Sequence, residues 1–439
     1  MISKIRIENF KSIEKLELKL APLTIFVGSN GSGKSSVIET LAFLRQGMER
    51  KISSAYNAEL VKLGTFKEVI HRGDKSKWLR IEFHTKVNKN EAERLEKSWD
   101  LPDGVAKLNK KRVEMIGYGI GIRENDTRHK ALINDRTIVE VCSKEDKIFS
   151  SVKNYLPEGT LSHILYSNNF ILYKEGIGRK GENFSKEFTK LMRDELSRVY
   201  YISTIRWLLP RTVQISGQDV MGKDIGSKFS ELRSKGEEWV GVNGEYAIHM
   251  LSMIFGNREL RYKREKIIKW ASEFGIKDIE SGWTGRGLEL KPSFEDPELK
   301  VVLNPASAGY GSRQILPVIT QLFYSEAGST IMIEEPEISM HMEYQLKLPK
   351  MFSEAVKEGK QIIITTHSEH LIMALKPLIA SGELSHQDVA IYHFEKTRQG
   401  TKVERLRISE TGIIEGWIPS YIKVEKEFLR EWFKTLPTA

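Results

Sequence analysis

Cysteine is nearly absent: Cys142 is the single one in 439 residues. A lone thiol closes no internal bridge, which excludes a disulfide scaffold and leads us to expect a reducing compartment, the cytoplasm. Long apolar runs are missing too. No uncharged stretch approaches the ~18 residues of a membrane-spanning helix, so a soluble protein without a membrane partner is expected. The opening residues lack the continuous apolar core of a signal peptide. Between Met1 and Phe10, Ile5 and Ile7 alternate with Lys4, Arg6 and Glu8, the pattern of a half-buried strand, and the chain reads as mature protein. Nor does one sign of charge dominate: 68 Lys and Arg against 59 Asp and Glu raise the expectation of a polyanionic partner only modestly. Internal repeats and low-complexity segments are absent. At 439 residues the chain exceeds one average domain, so a large core with an inserted subdomain is expected.

What is present begins with strands. Leu16, Leu18 and Leu20 alternate with charged neighbours, and Thr24 to Val27 is a short apolar run stopped by glycine. Val37, Leu41, Leu44 and Met48 then recur at helical spacing, predicting a helix with one buried stripe. Alternation at Leu79, Ile81 and Phe83, and β-like stretches over Val113–Ile122 and Ile133–Val141, predict a meander with a polar insert between its first two strands. Helical patterns dominate from Phe184 to Phe274, interrupted by a strand-like Val199–Ile205. After Gly285, buried strands over Thr330–Ile333 and Gln361–Thr365, each followed by a helix, predict an α/β sheet. The expected division is 1–182, 183–284 and 285–439, the middle part mainly helical.

Gly28-Ser29-Asn30-Gly31-Ser32-Gly33-Lys34-Ser35 fits G-x-x-x-x-G-K-[ST] between an apolar strand and a helix. Such a loop binds phosphate. Its glycines let successive N–H groups turn inward, the helix start adds a favourable dipole, Lys34 neutralises the β and γ oxygens, and Ser35 ligates Mg2+. Ile331-Met332-Ile333 leads into Glu334-Glu335-Pro336-Glu337. A strand ending in carboxylates beside a phosphate loop assigns Glu334 to the magnesium shell and Glu335 to the attacking water. Gln361–Ser368 is a third such strand, ending at His367, a candidate γ-phosphate sensor. Ser307-Ala308-Gly309-Tyr310-Gly311-Ser312-Arg313-Gln314 precedes an apolar helix and forms another anion-ready helix start, a pattern that ordinary capping also produces.

These four motifs, in this order, resemble the ABC-type ATPases of the chromosome-maintenance (SMC), RecF and overcoming-lysogenisation-defect (OLD-like) branch. The likeness is confined to the two head lobes. Ile7-Glu8-Asn9-Phe10-Lys11-Ser12 resembles that branch's first strand and nucleotide-contacting turn, which implies contacts from Lys11 and Ser12 beside Asn30, Gly31, Ser32, Gly33, Lys34, Ser35 and Ser36. Glu334–Glu337 with His341 and Gln345 resembles its Glu-Glu-Pro-Glu box and following helix. The family sandwiches two ATP molecules between two heads, phosphate loop against signature. The resemblance therefore implies a P-loop NTPase with an inserted helical subdomain, ATP and Mg2+ as cofactors, and a homodimer formed on ATP binding. Two departures stand out. Met342 occupies the place where proline commonly follows the histidine, and the signature is atypical, with Ser307 or Gly309 the residue facing the opposite ATP, depending on register to Gly311. Gln214 and Gln218, after Arg206 and Arg211, lie where a metal-sensing glutamine would fall, but ordinary surface roles suit them better.

The expected function is an ATPase whose cycle acts on DNA or on a nuclease or other effector protein in genome maintenance or phage defence. An ATP-gated scaffold with negligible turnover is the alternative. A transporter subunit is disfavoured by the helical insertion and the absent Leu-Ser-Gly-Gly-Gln. Two basic clusters are candidate DNA contacts: Arg258, Arg261, Lys263, Arg264, Lys266 and Lys269, and Lys107, Lys110, Lys111 and Arg112; a solvated basic helix face balanced by Glu259 and Glu265 is an equal alternative. Asp388–Phe394 and Lys402–Ile408 read as closing strands, and Val424, Phe428, Leu429, Trp432 and Phe433 form an apolar stripe expected to dock on the protein's own head, with a partner surface as the alternative. No carboxylate cluster follows His367, so no intrinsic nuclease is expected.

Overall fold

Alternating apolar residues at the start of the chain form strand β1 (Ile2–Phe10), which pairs antiparallel with β2 (Ile13–Lys19). The apolar run that follows is β3 (Leu23–Gly28), buried along its whole length, and helix α1 (Lys34–Gly47) begins six residues later. The structure, a computed structural model, describes residues 1–48, 52–98, 112–124, 126–144, 147–150, 182–206, 213–214, 225–234, 236, 238–283, 289–296, 298–415 and 418–435. They divide into two compact units: Met1–Ala21, Ser29–Val199 and Phe394–Glu404 make the first, and Pro22–Gly28, Tyr200–His393 and Arg405–Ala439 the second.

The first unit holds a seven-stranded antiparallel sheet. Its other strands are β4 (Leu79–Lys86), β5 (Met115–Arg123), β6 (Asp126–Ile133), β7 (Arg136–Lys144) and β8 (Lys147–Ser150), in the order β2-β1-β4-β5-β6-β7-β8. The meander is as expected in kind but not in division. The run Ile133–Val141 is broken by a hairpin turn at Asn134 and Asp135, both at positive φ, which short polar side chains tolerate. Strand β6 escaped notice because Arg128, His129 and Lys130 obscure its alternation. Helix α1 is also a correction. It buries Val37, Ile38, Leu41, Ala42, Phe43 and Leu44 on nearly all sides, not one stripe. Gln46 is enclosed with them and satisfied by the backbone of Ala55, Leu60 and Val61. The polar insert contains helix α2 (Lys89–Lys97), and α3 (Glu182–Ser197) completes the unit's long helices.

β9 (Val199–Ile202), β14 (Thr330–Glu334), β15 (Gln361–Thr366), β16 (Val389–Thr397) and β17 (Gly400–Leu406) join β3 in a six-stranded sheet of order β17-β16-β3-β15-β14-β9, whose central strands β3, β15 and β14 belong to the second unit. β14, β15 and β3 run parallel and read as unbroken apolar segments because both faces are covered. The core over them is built from α5 (Ala247–Gly256), α6 (Arg261–Glu273), α7 (Tyr310–Tyr324) and α8 (Met342–Lys357), after a shorter α4 (Ile225–Ser234). A small antiparallel sheet of β10 (Val213–Gln214), β11 (Lys277–Trp283), β12 (Glu289–Glu295) and β13 (Val302–Leu303) has no counterpart in the sequence reading. The closing strands fall where expected, as β16 and β17. The terminal helix α9 (Pro419–Thr435) does not behave as expected: Val424, Phe428, Trp432 and Phe433 are 50% exposed or more, and Leu429 is exposed too. Periodicity marks an apolar face but not what covers it, and among the described residues this face stays largely exposed.

Candidate functional site

In the first unit the glycine-rich segment closes on itself. Gly31 and Gly33 take φ of 68° and 103°, where side chains are strained, and a Cβ on Gly33 would stand 2.5 Å from the Thr401 hydroxyl. The Lys34 side chain folds back to donate to the Ser29 carbonyl at 2.9 Å and is buried, while Asn30, Gly31 and Ser35 face outward. No acidic residue occupies the first turn of α1, leaving the positive end of its dipole uncompensated. The Ser32 hydroxyl is fully buried with no hydrogen-bond partner among the described residues. Ser36 is buried inside the same turn. Such a turn suits an anion.

Two distant segments brace it. Lys11, at φ 51°, has its N–H on the Val69 carbonyl and its ammonium on Glu39 of α1 at 2.6 Å, while its carbonyl meets His71 Nδ1 at 2.8 Å. Thr401, at the start of β17, donates to the Ser32 carbonyl at 2.9 Å and lies 2.8 Å from the Ser12 hydroxyl. Lys396 brings its ammonium beside Gly31. Thr401, His71 and Lys396 were not legible as site residues. They reach the loop only through the fold, Thr401 and Ser32 being 369 positions apart.

In the second unit the carboxyl ends of β14, β15 and β3 share one edge: Glu334 sits opposite Thr365, and Thr365 opposite Phe26. Two strand spacings, about 10 Å, separate Glu334 from the strand that runs into the phosphate loop. Parallel sheets bind ligands at this edge. Glu334 is buried; its Oε2 accepts from Tyr201 at 3.1 Å and Thr204 at 3.4 Å, and its Oε1 has no partner among the described residues. Glu335 takes φ 42°, donates its N–H to the Thr365 carbonyl at 2.9 Å, and faces His367 Nε2 across 3.6 Å. Glu337 lies beneath. Burial pushes its pKa up, while its Oε1 accepts from Thr366 at 2.6 Å and from the His367 N–H at 2.8 Å. The His367 carbonyl accepts from Tyr421 at 2.7 Å. Gln345 connects Ser368 to the Met340 carbonyl, and His341 caps α8, which starts at Met342 without the proline.

Ser307 ends a short 3-10 turn and Gly309 is the N-cap of α7; both are exposed, so the geometry leaves either one available to a ligand. Gly311 has a packing role, since a Cβ there would meet the Ser339 carbonyl at 2.7 Å. The basic cluster on α6 is largely paired within the unit: Arg261 with Glu265, Lys263 with Glu326, Lys266 with Glu354 and Glu358, and Lys269 with Glu354. Lys107, Lys110, Lys111, Arg211 and Gln218 lie outside the described residues, and Gln214 lies in β10.

A G-x-x-x-x-G-K-[ST] loop between a buried strand of a parallel sheet and a helix is the arrangement of a P-loop NTPase. The chain belongs to the AAA ATPase domain family, whose profile matches residues 1–372. Curated relatives include DNA replication and repair protein RecF of Corynebacterium jeikeium, 39% identical over 64 residues, 14% of this chain and 15% of that protein. RecF of Acidothermus cellulolyticus is 30% identical over 95 residues, 21% of this chain and 25% of that protein. The chain thus matches a quarter or less of the length of these two RecF relatives. An ATP/GTP phosphatase of Helicobacter pylori is 22% identical over 403 residues, covering 88% of this chain and 90% of that protein. Among solved structures, an SMC head bound to the C-winged helix domain of ScpA aligns over 92% of this chain and 98% of its own, at 14% identity and TM-score 0.49. An Smc head bound to the C-terminal domain of ScpA derived from Pyrococcus furiosus aligns over 97% and 99%, at 13% identity and TM-score 0.48.

Proposed function

We propose that this protein binds ATP with Mg2+ on the loop Asn30–Ser36 and hydrolyses it with Glu335 as the carboxylate that orients water. The observation that carries this is the shared sheet edge, which sets Glu334, Glu335 and His367 beside the strand entering the phosphate loop. Glu334 Oε1, without a partner among the described residues, suits a magnesium shell, which needs only one or two protein oxygens, and the reading gives Ser35 the same role from the phosphate loop. Magnesium, when bound, neutralises phosphate charge. Lys34 would leave the Ser29 carbonyl for the phosphates, and Lys11 and Ser12 would flank the nucleotide. Glu335 would take up the water's proton, with His367 holding the carboxylate and sensing the γ-phosphate.

The reading extends to a cytoplasmic homodimer closed by ATP, with Ser307, Gly309 and Gly311 of one copy facing the nucleotide of the other. Its output would be DNA or a nuclease or effector protein, in genome maintenance or phage defence; the RecF relatives support the DNA-linked side of this reading. Among the described residues no helix is long and apolar enough to cross a membrane. Glu335→Gln should keep nucleotide binding, lower phosphate release by roughly 100-fold or more, and accumulate a species of doubled mass with ATP. Wild-type turnover in this variant, or an unchanged mass, would sink the assignment. A closed dimer in a wild-type protein that releases no phosphate would identify an ATP-gated scaffold instead.

A further inference from the structure

Arg206 is 3% exposed, and a guanidinium so enclosed is costly to keep unless its N–H groups are well used. Burial draws its pKa down to about 10, with Glu337, Glu334 and Glu335 working in the other direction, so it is a cation at neutral pH. Its hydrogen bonds go to the backbone of the acidic turn. Nη2 donates to the Glu334 carbonyl and, at 3.2 Å, to the Glu335 carbonyl. Nε and Nη1 have no hydrogen-bond partner among the described residues.

The turn it grips is strained. Glu335 sits at φ 42°, a conformation that costs a residue with a side chain on the order of 1–3 kcal/mol and persists only when the surroundings over-determine it. Those surroundings are visible. Thr365 on β15 receives the Glu335 N–H, and Arg206 takes the carbonyls on either side of the Glu335 nitrogen and α-carbon. The same segment supplies Tyr201 and Thr204 to the Glu334 carboxylate. The far end of the clamp is anchored too: Gln314 on α7, 1% exposed, donates to the Arg206 carbonyl at 3.1 Å. A line of bonds therefore runs from the first turns of α7, just past Ser307–Gly311, to the backbone of Glu335.

We infer that Arg206 is a positioning residue for hydrolysis: it holds the Glu334–Glu335 backbone in the shape that aims the Glu335 carboxylate, and Gln314 ties that shape to helix α7. The inference rests on the assignment of Glu335 to the attacking water. Arg206 itself touches neither nucleotide nor water in this role. Its loss would free two carbonyls and let the strained turn relax. A displacement of about 1 Å at such a carboxylate costs on the order of 100-fold in rate, while the phosphate loop would bind nucleotide as before.

Turnover and equilibrium binding of a fluorescent ATP analogue separate these effects. Arg206→Lys keeps a buried cation but cannot span both carbonyls; it should lower kcat roughly 10- to 100-fold with the analogue's Kd changed by less than about 3-fold. Gln314→Ala should lower kcat by less, and the double variant should be no slower than Arg206→Lys, because both act through one clamp. Tight analogue binding and a cooperative melt show that each variant is folded. Unchanged kcat in Arg206→Lys, or affinity falling in step with kcat, overturns the inference. Additive losses in the double variant remove the link to α7. Glu335→Gln serves as the control: full turnover there overturns the underlying assignment, whereas its loss of turnover beside a normal Arg206→Lys overturns this inference alone.

Discussion

Two histidines illustrate how a single residue's surroundings set behaviour for the whole first unit. His84 is fully buried, with Lys4 and Asp135 nearby, and His129 is enclosed with its Nδ1 2.7 Å from the Tyr118 hydroxyl. Burial lowers the pKa of each to about 4. In the unfolded chain each would titrate near 6.5, so between pH 6.5 and 4 the unfolded state binds more protons than the folded one. Stability contributed by these neutral imidazoles is complete above that window and is lost as pH falls through it. Thermal melts at pH 7 and pH 5 should show a drop that shrinks in a His129→Phe variant; an identical slope would show that His129 is not its source. Thr401 offers a second residue-scale test. Thr401→Val removes the donor to Ser32 and the contact with Ser12, a loss of about 1 kcal/mol, and should weaken nucleotide binding by about 5-fold while lowering the melting temperature by no more than about 4 °C; unchanged binding would show that Thr401 does not shape the loop.

Elements behave according to what covers them. Helix α1 was legible as a helix from Val37, Leu41, Leu44 and Met48, but its all-round burial was not, because Gln46 and Thr40 look like solvent-facing residues until their partners are known. Helix α9 is the opposite case. Its stripe was legible and its burial was assumed, yet Phe428 is 66% exposed and Trp432 50%. Substitutions there should therefore be almost free: Phe428→Ser and Trp432→Ser are expected to change folding stability by no more than about 0.5 kcal/mol each. A larger loss in chemical denaturation would mean that the stripe is covered in solution.

At the scale of the whole molecule the question is what the basic excess does. On α6 the lysines are spent on carboxylates of the same unit, Lys266 and Lys269 converging on Glu354, which also accepts from the Trp270 indole. Lys266→Glu would set a third negative charge against Glu354 and Glu358 in that network. It should lower the melting temperature and leave retention of duplex DNA and its salt dependence as they were. Weaker, less salt-sensitive binding with an unchanged melt would restore α6 as a DNA-contacting face. The same preparation, incubated with plasmid, magnesium or manganese and ATP, is expected to leave the DNA intact.

The phosphate loop, the acidic strand end, the strand ending at His367 and the helix start at Gly309 could be read from the chain because each is local: a few consecutive residues carry both the conformation and the chemistry. The parallel strands were legible for a related reason, since burial on both faces leaves an unbroken apolar run. What only the tertiary structure decided is long-range. Thr401 meets Ser32 and Ser12, Tyr421 meets His367, and Arg206 meets Glu334 and Glu335 across more than a hundred positions. Nothing in the local pattern around those residues marks them, because a hydrogen bond to a distant backbone carbonyl requires only that a donor be present and that the fold bring it within 3 Å or so.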